Sequence, residues 1–161
     1  MAETTVSFEV HGLKEMEDAL KEIGNAAAGK TLFSALMAAG MPIQKEAQAN
    51  APKSTEPHYK YQKGKAKIQV PSGTLKKSIG RKRLKSGNGE TGAEIGISWK
   101  GDAFYGRFLE FGTSKMAAKP FLRPAFDAKK DESLTIFKDK LAANIEKQRQ
   151  IIAARTAGNN P

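Results

Sequence analysis

The spacing of apolar residues divides the first third of the chain into one predicted strand and two predicted helices. Residues 4–10 alternate apolar and polar side chains with a period of two, which is typical of a strand. The apolar side of that strand carries Val6, Phe8 and Val10. Residues 13–23 have helical spacing, so they predict a short amphipathic helix that stops at Gly24. Residues 30–51 predict a second helix, which Pro42 should kink or split because proline has no amide hydrogen to donate.

Proline and glycine interrupt the middle of the chain, which predicts shorter elements. Residues 52–71 carry four such breakers among many lysines, and we interpret them as a long exposed loop or arm. A loop of that length in a small domain is more often functional than idle. Residues 74–79 predict one helical turn. Residues 79–85 and 93–99 predict the two strands of a hairpin, with turn residues at 86–89.

The last third of the chain begins with an aromatic segment and ends in a long helix. Residues 104–111 predict a helix that Gly112 ends. Residues 120–125 lead into the last helix, predicted over about residues 124–156. We place Pro124 at the first position of that helix, where no amide hydrogen is needed. The apolar stripe of the helix carries Leu134, Phe137, Leu141, Ile145 and Ile152.

These elements predict an α+β fold. It consists of a small, mostly antiparallel sheet with helices packed on one face, a long basic loop or arm, and a long C-terminal helix. A length of 161 residues suits a single domain over residues 1–161. We place its core within about residues 1–127, with the exposed arm at residues 53–71.

Charge is concentrated in one part of the chain. The formal net charge is +10, and residues 53–85 hold eleven Lys or Arg residues against the single acid Glu56. The remaining basic and acidic residues balance, at sixteen each. Such a stretch attracts phosphates or acidic protein surfaces, although charge runs of this kind also serve simply as solvated loops.

Several classes of function are excluded or disfavoured by composition. The chain has no cysteine, which excludes disulfides and thiolate metal sites and suits a reducing cytoplasm. No run of about 18 apolar residues predicts a membrane span. The N-terminus lacks the basic and apolar blocks of a secretory signal.

Two glycine motifs match nucleotide-binding patterns, but their context does not fit. Residues 24–31 match the phosphate-loop pattern letter for letter, yet a predicted helix precedes them where that loop needs a strand. Residues 87–92 match the dinucleotide pattern, yet a predicted strand follows them where that motif needs a helix. We interpret both as turns. His11 and His58 have no acids at ligand spacing, and no catalytic constellation stands out. We therefore predict no enzyme activity, cofactor or metal.

The basic stretch also contains aromatic residues. Tyr59 and Tyr61 flank Lys60, and tyrosines among lysines can stack on bases while the lysines hold phosphates. The alternative is two tyrosines on a loop or at an interface. The residues predicted to contact a partner or DNA are Lys53, Lys60, Lys63, Lys65, Lys67, Arg81, Lys82 and Arg83.

A second candidate site is the aromatic corner that joins the last two predicted helices. Its density of aromatic residues fits either a corner of the core or a subunit interface. Arg107 and Arg123 flank this corner with Glu110 nearby, which allows ion pairs within or between subunits. The residues of this corner are Tyr105, Arg107, Phe108, Glu110, Phe111, Gly112, Pro120, Phe121, Arg123 and Pro124.

Three sequence blocks carry a resemblance to a known family. Tyr105 and Glu-Phe-Gly-Thr at 110–113 are followed by Pro-Phe-Leu-Arg-Pro-Ala at 120–125. Gly-x-Leu-x-x-Ser-Ile stands at 73–79, and Ala-Pro at 51–52. In this order they resemble the tail-completion or neck proteins of long-tailed phages, the family named after the tenth gene product of phage HK97. The arm at residues 53–71 departs from the family pattern because it is longer and more basic than the short polar link expected there.

The resemblance implies a non-enzymatic virion protein at the head–tail junction, assembled in the host cytoplasm. Such proteins form rings, commonly sixfold, that join the capsid connector to the tail tube. The implied partners are other copies of the chain, the head-closure or connector protein, and the tail-tube or terminator protein. The basic arm would meet an acidic neighbour or line the channel that DNA crosses. Two alternatives are a tail-terminator ring and a basic DNA-binding module without sequence specificity.

Overall fold

The computed structural model describes four stretches of the chain. They are residues 14–53, 58–60, 68–84 and 93–158. The predicted strand at 4–10, the hairpin turn at 86–89 and the glycine motif at 87–92 lie outside the described residues, as do Lys63, Lys65 and Lys67.

The first two helices follow the predicted pattern. Helix α1 spans Lys14–Glu22, and helix α2 spans Asn25–Asn50. Gly24 lies between them with a φ of 82°, a left-handed backbone that glycine adopts at little steric cost. Residues 24–31 therefore form a turn between helices and the first turns of α2, and helix α1 lies directly before them where a phosphate loop needs a strand. Of the two effects predicted for Pro42, a split of the second helix is wrong, because α2 runs through it. A kink at Pro42 stays a prediction.

The described parts of the predicted arm pair with each other. Strand β1 spans His58–Lys60 and strand β2 spans Ile68–Val70. The two strands are antiparallel, and His58 lies opposite Val70. The interpretation of residues 52–71 as a loop is therefore wrong for these six residues. Burial of Val70 gives the pairing an apolar anchor that the lysine-rich sequence did not reveal.

The next elements confirm the predicted helical turn and hairpin strands. Helix α3 spans Thr74–Ser78. Strand β3 spans Gly80–Leu84 and pairs with strand β4, which spans Glu94–Ser98. The described residues thus form two separate two-stranded sheets, and helices dominate the rest. The α+β fold class is confirmed.

The last two helices lie where the sequence predicts them, with one shift. A 3-10 turn at Gly101–Ala103 precedes helix α4, which spans Gly106–Phe111. Helix α5 spans Leu122–Gly158, so Pro124 is its third residue and not its first. Proline is tolerated there because the first four amide groups of a helix have no intrahelical acceptor.

The chain packs as two compact units, and each has its own core. The first consists of residues 1–41, 82–96 and 131–161. Its core contains Phe137, Leu141 and Ile145 from the predicted apolar stripe of α5, whereas Ile152, on the same stripe, is 42% exposed. Within this unit the Arg149 guanidinium pairs with Glu22 at 2.8 Å. The buried residues of this core are Ala19, Ala35, Ala39, Phe137, Leu141 and Ile145.

The second unit consists of residues 42–81 and 97–130. We call its buried cluster the motif core, because it draws residues from all three sequence blocks. The residues of the motif core are Ala47, Ala51, Leu75, Ile79, Ala103, Phe121 and Ala125. That the whole chain acts as one domain stays a prediction.

Candidate functional site

The motif core brings together segments that are far apart in the sequence. Ala51 directly follows α2, and Phe121 directly precedes α5. Leu75 lies in α3, and Ile79 directly follows it. All four side chains are buried. Trp99 packs against Phe121 with ring centroids 5.8 Å apart. The three blocks behind the family resemblance are thus one packing unit, and large buried side chains of this kind each contribute roughly 1.5–3 kcal/mol to folding.

Local backbone geometry and hydrogen bonds explain why this chain carries Gly, Thr and Ser in the Gly-x-Leu-x-x-Ser-Ile block. Gly73 has a φ of 80° and precedes α3. The Thr74 hydroxyl donates to the carbonyl of Pro71 at 2.7 Å, and the Ser78 hydroxyl donates to the carbonyl of Leu75 at 2.7 Å. These contacts hold a helix of five residues, which is too short to be stable alone.

A glutamine pair that the sequence analysis missed ties α2 to the end of α3. The side-chain amides of Gln44 and Gln48 donate to the carbonyl of Ile79 at 3.2 and 2.9 Å. The Nε of Arg81 donates to Oε1 of Gln44 at 2.6 Å. The two glutamines are four residues apart, so they lie on one face of the helix. This spacing is the sequence feature that could have indicated a shared partner. Arg81 has an intramolecular role here, although it was predicted to contact a partner.

Glu110 is buried, with 7% of its surface exposed, and it caps the start of α5. Its Oε2 accepts hydrogen bonds from the amides of Phe121 and Leu122 at 2.8 and 3.0 Å, and its Oε1 accepts one from the amide of Arg123 at 3.1 Å. A carboxylate is favoured at a helix N-terminus because the free amides and the helix dipole are positive there. Backbone amides, rather than the exposed guanidinium groups of Arg107 and Arg123, satisfy this acid.

Gly112 ends α4 and begins a tight turn, as predicted. Its φ is 72° and its ψ is −174°, a combination that is essentially restricted to glycine. A Cβ atom at this position would lie 2.8 Å from the carbonyl oxygen of Met116 and 2.9 Å from the amide nitrogen of Ala118. The turn is closed by the amide of Thr113, which donates to Met116 at 2.8 Å, and by the amide of Lys119, which donates to Leu109 at 2.7 Å.

The outer side of this corner exposes large apolar side chains. Phe104 is 59% exposed, Phe108 44% and Phe111 49%. The rings of Phe104 and Phe108 meet edge to face with centroids 6.3 Å apart, and Phe111 follows Phe108 by about one helical turn. Together with the exposed Met116, we call these residues the aromatic face. Contiguous exposed apolar residues mark protein interaction sites.

The residues of the predicted aromatic corner divide between the buried core and the surface. Phe121 and Glu110 are buried and Tyr105 is half-buried. Burial raises the pKa of the Tyr105 phenol above its ordinary value, while a hydrogen bond with the backbone of Leu75 acts in the opposite direction. The exposed members are Arg107, Phe108, Phe111, Pro120, Arg123 and Pro124.

A groove of about 410 Å³ lies beside the aromatic face. Met116 and Lys119 in its wall were not singled out by the sequence analysis, because the turn that carries them has no apolar periodicity. Pro52 and Gly73 belong to the sequence blocks described above. The lining residues are Pro52, Lys53, Gly73, Tyr105, Phe108, Leu109, Met116 and Lys119.

The basic residues fall into different surroundings. Tyr59 is exposed on β1 and lies opposite the exposed Gln69. The Arg83 guanidinium lies over the Phe33 ring, 5.0 Å from its centroid, which is a cation–π contact. Lys82 lies on β3, and Lys53 lines the groove.

The described residues contain neither a metal-binding cluster nor a candidate membrane span. Across residues 14–53, 58–60, 68–84 and 93–158, no cluster of His, Cys, Asp or Glu could hold a metal ion. In the same part of the chain, no helix has the length and apolar character to cross a membrane.

One family model matches residues 14–112, which is more than half of the chain; its description reads "Bacteriophage HK97-gp10, putative tail-component". No curated protein and no solved structure matches. The match includes the Ala-Pro, Gly-x-Leu-x-x-Ser-Ile and Glu-Phe-Gly segments and ends before Pro-Phe-Leu-Arg-Pro-Ala. The resemblance drawn from these blocks is confirmed: the chain belongs to the HK97-gp10-like family of bacteriophage tail components.

Proposed function

We propose that this chain is a structural subunit of the phage neck, which forms a ring that joins the capsid connector to the tail tube. Family membership supports a structural role in the phage tail or neck. The observation that carries the ring is the aromatic face, since three exposed phenylalanines on one corner are costly to leave in water. A tail-terminator ring would use such a face in the same way.

The subunits of a ring meet through two different patches, because a head-to-tail contact closes on itself after a fixed rotation. The aromatic face supplies one such patch. Aromatic residues are enriched in the cores of subunit interfaces, where they bury a large area. Arg107 and Arg123 are also exposed, and they supply charged groups for the rim.

Removal of the aromatic face should abolish the ring. We expect the full chain to give a closed oligomer in native mass spectrometry, and the Phe104→Ser, Phe111→Ser double variant to give monomers. Both side chains are exposed, so the fold should persist, with an unchanged circular dichroism spectrum. The matched control is Ile152→Ser, which removes an exposed apolar residue from α5. An unaltered ring in the double variant would contradict the proposal.

The basic arm is proposed to contact an acidic surface of the adjoining ring or the DNA in the channel. The Lys60→Glu, Lys63→Glu, Lys65→Glu, Lys67→Glu variant should therefore reduce infectious particles by about a thousandfold or more, because each reversed charge turns attraction into repulsion. The control reverses four exposed charges on α5, at Lys138, Lys140, Lys147 and Arg155. Normal yields from the arm variant would rule out this role.

Filter binding across a range of salt concentrations separates the two partners of the arm. A DNA-binding module, the alternative from another class, should lose affinity steeply as salt rises because phosphate contacts release counterions. The exposed Tyr59 is the observation that favours this alternative. An acidic protein neighbour predicts little binding to DNA at any salt concentration.

A further inference from the structure

We propose that the groove beside the aromatic face receives residues 4–10 of a neighbouring copy of this chain as an extended segment. This inference rests on the proposed ring and names the contact that would link its subunits. The inserted segment would present Val6, Phe8 and Val10 to the groove.

The groove has the chemistry of a site for an apolar segment with negative charge beside it. Pro52, Phe108, Leu109 and Met116 give it an apolar lining. Two exposed lysines, Lys53 and Lys119, add positive charge to the lining. A volume of about 410 Å³ accommodates a few side chains but not a helix, which has a diameter of about 10 Å or more.

Among the parts of the chain outside the described residues, the N-terminal segment has the matching composition. Residues 54–57, 85–92 and 159–161 contain no large apolar side chain. Residues 61–67 contain three lysines, which the lysines of the groove would repel. Residues 1–13 contain Val6, Phe8 and Val10 with strand periodicity.

Charge and spacing also favour this segment. Residues 1–13 carry two acids, Glu3 and Glu9, and no Lys or Arg. Opposite charges across a contact steer the two surfaces together and set the register. In an extended segment, alternate side chains lie about 6.7 Å apart on one face, so Val6 and Val10 span about 13 Å. Phe8 then takes the central position, where an aromatic anchor contributes most.

We assign the segment in the groove to a neighbouring copy because the proposed ring needs a contact between two different surfaces of the chain. A segment on one subunit and a groove on the next form a head-to-tail contact, which repeats around a ring until it closes. The groove lies next to the aromatic face, so one interface would bury both. This arrangement gives each subunit one donor segment and one acceptor groove.

The absence of cysteine allows a direct test by disulfide trapping in the full chain. Phe8→Cys protein is mixed with Met116→Cys protein and oxidised with copper phenanthroline. A disulfide requires Cβ atoms about 3.5–4.5 Å apart, so a mixed disulfide between the two variants, distinguished by mass spectrometry from the dimers that each variant forms with itself, reports insertion. Because each variant has a single cysteine, a bond between the two must join different copies. We expect this pair to cross-link efficiently.

Two control pairs test whether cross-linking depends on the face of the segment that carries the cysteine and on the position of the second cysteine in the groove. Ser7→Cys lies on the opposite side of the predicted strand, and its mixture with Met116→Cys should give about tenfold less dimer, since only the inserted face has a high effective concentration. The mixture of Phe8→Cys with Lys138→Cys, an exposed position on α5, should behave likewise. Equal dimer yields from all three pairs would overturn the inference.

Further outcomes separate this inference from the proposed function. A ring in native mass spectrometry without Phe8–Met116 cross-linking defeats the inserted segment and leaves the ring standing. A Phe8→Cys, Met116→Cys double variant that forms its disulfide only within one chain also defeats insertion from a neighbour. The absence of any oligomer at all concentrations defeats both. Weakening of the cross-link by Glu9→Lys, together with Phe8–Met116 trapping, supports the inference.

Discussion

Replacement of Glu110 by alanine is expected to lower the free energy of unfolding by about 2–4 kcal/mol. The substitution removes the acceptor of three amides at the start of α5. Loss of a helix cap costs about 0.5–2 kcal/mol, and a buried amide left without an acceptor costs about 1–3 kcal/mol. The amide of Phe121 is the buried one of the three, so it has no access to water as a substitute.

Urea unfolding followed by tryptophan fluorescence measures this loss in the free energy of unfolding. Trp99 is the single tryptophan and packs against Phe121, so its emission reports on the motif core. Glu110→Gln should lose about half as much stability, since one side-chain oxygen remains to accept. Glu94→Ala, at an exposed acid, should change stability by less than about 0.5 kcal/mol. An effect of Glu110→Ala as small as that of Glu94→Ala would contradict the capping role.

Replacement of Gly112 by alanine is expected to cost about 3–5 kcal/mol. The backbone conformation of Gly112 strains any residue with a Cβ by about 1–3 kcal/mol. The added Cβ would also meet backbone atoms of Met116 and Ala118 below 3 Å, and backbone cannot rotate away as a side chain can. Overpacking of this kind costs a further 1–3 kcal/mol, roughly. The same urea titration measures the loss.

The chain provides a matched control in which the same substitution should have the opposite sign. Gly29 lies inside α2, and apart from its chain neighbours and the backbone of its own helix no atom lies within 4 Å of where its Cβ would be. Gly29→Ala should stabilise the protein by about 0.5–1 kcal/mol, because alanine loses less backbone entropy in a helix. If both substitutions had similar effects, the special conformation assigned to Gly112 would be wrong.

Both positions bear on the proposed interface. The turn that Gly112 begins carries Met116 and Lys119, and Glu110 holds the residues that follow that turn. A substitution at either position should therefore disturb the groove and the aromatic face along with the fold. Glu110 and Gly112 of the family block Glu-Phe-Gly would thus support the proposed interface by holding this turn in place, and not by contacting a partner themselves.

Several elements were predicted correctly because their signal is local. Helix α1 shows amphipathic spacing and ends at a glycine with positive φ, and strand β4 shows clean alternation. The long helix α5 was expected from its apolar stripe, although Ile152 lies on the surface. Periodicity shows which side chains share a face, but not how far along a helix that face stays covered.

Other features were predicted wrongly because non-local contacts decide them. Strands β1 and β2 have three residues each, too few for periodicity to show, and their pairing depends on the burial of Val70. Pro42 was expected to kink or split α2. The helix is not split, and the residues on either side, Ala39 and Ile43, are buried, so a break at Pro42 would expose apolar surface.

The sequence by itself determined the family, the order of the elements and the chemistry available to the chain. These follow from motif spacing, local periodicity and composition, which are properties of neighbouring residues. Only the tertiary structure decided that Glu110 caps α5 instead of pairing with an arginine, and that Phe121 is buried while Phe104, Phe108 and Phe111 face outwards. The physical reason is that burial depends on what packs from distant parts of the chain, and an aromatic residue has the same spacing whether it faces a core or a partner.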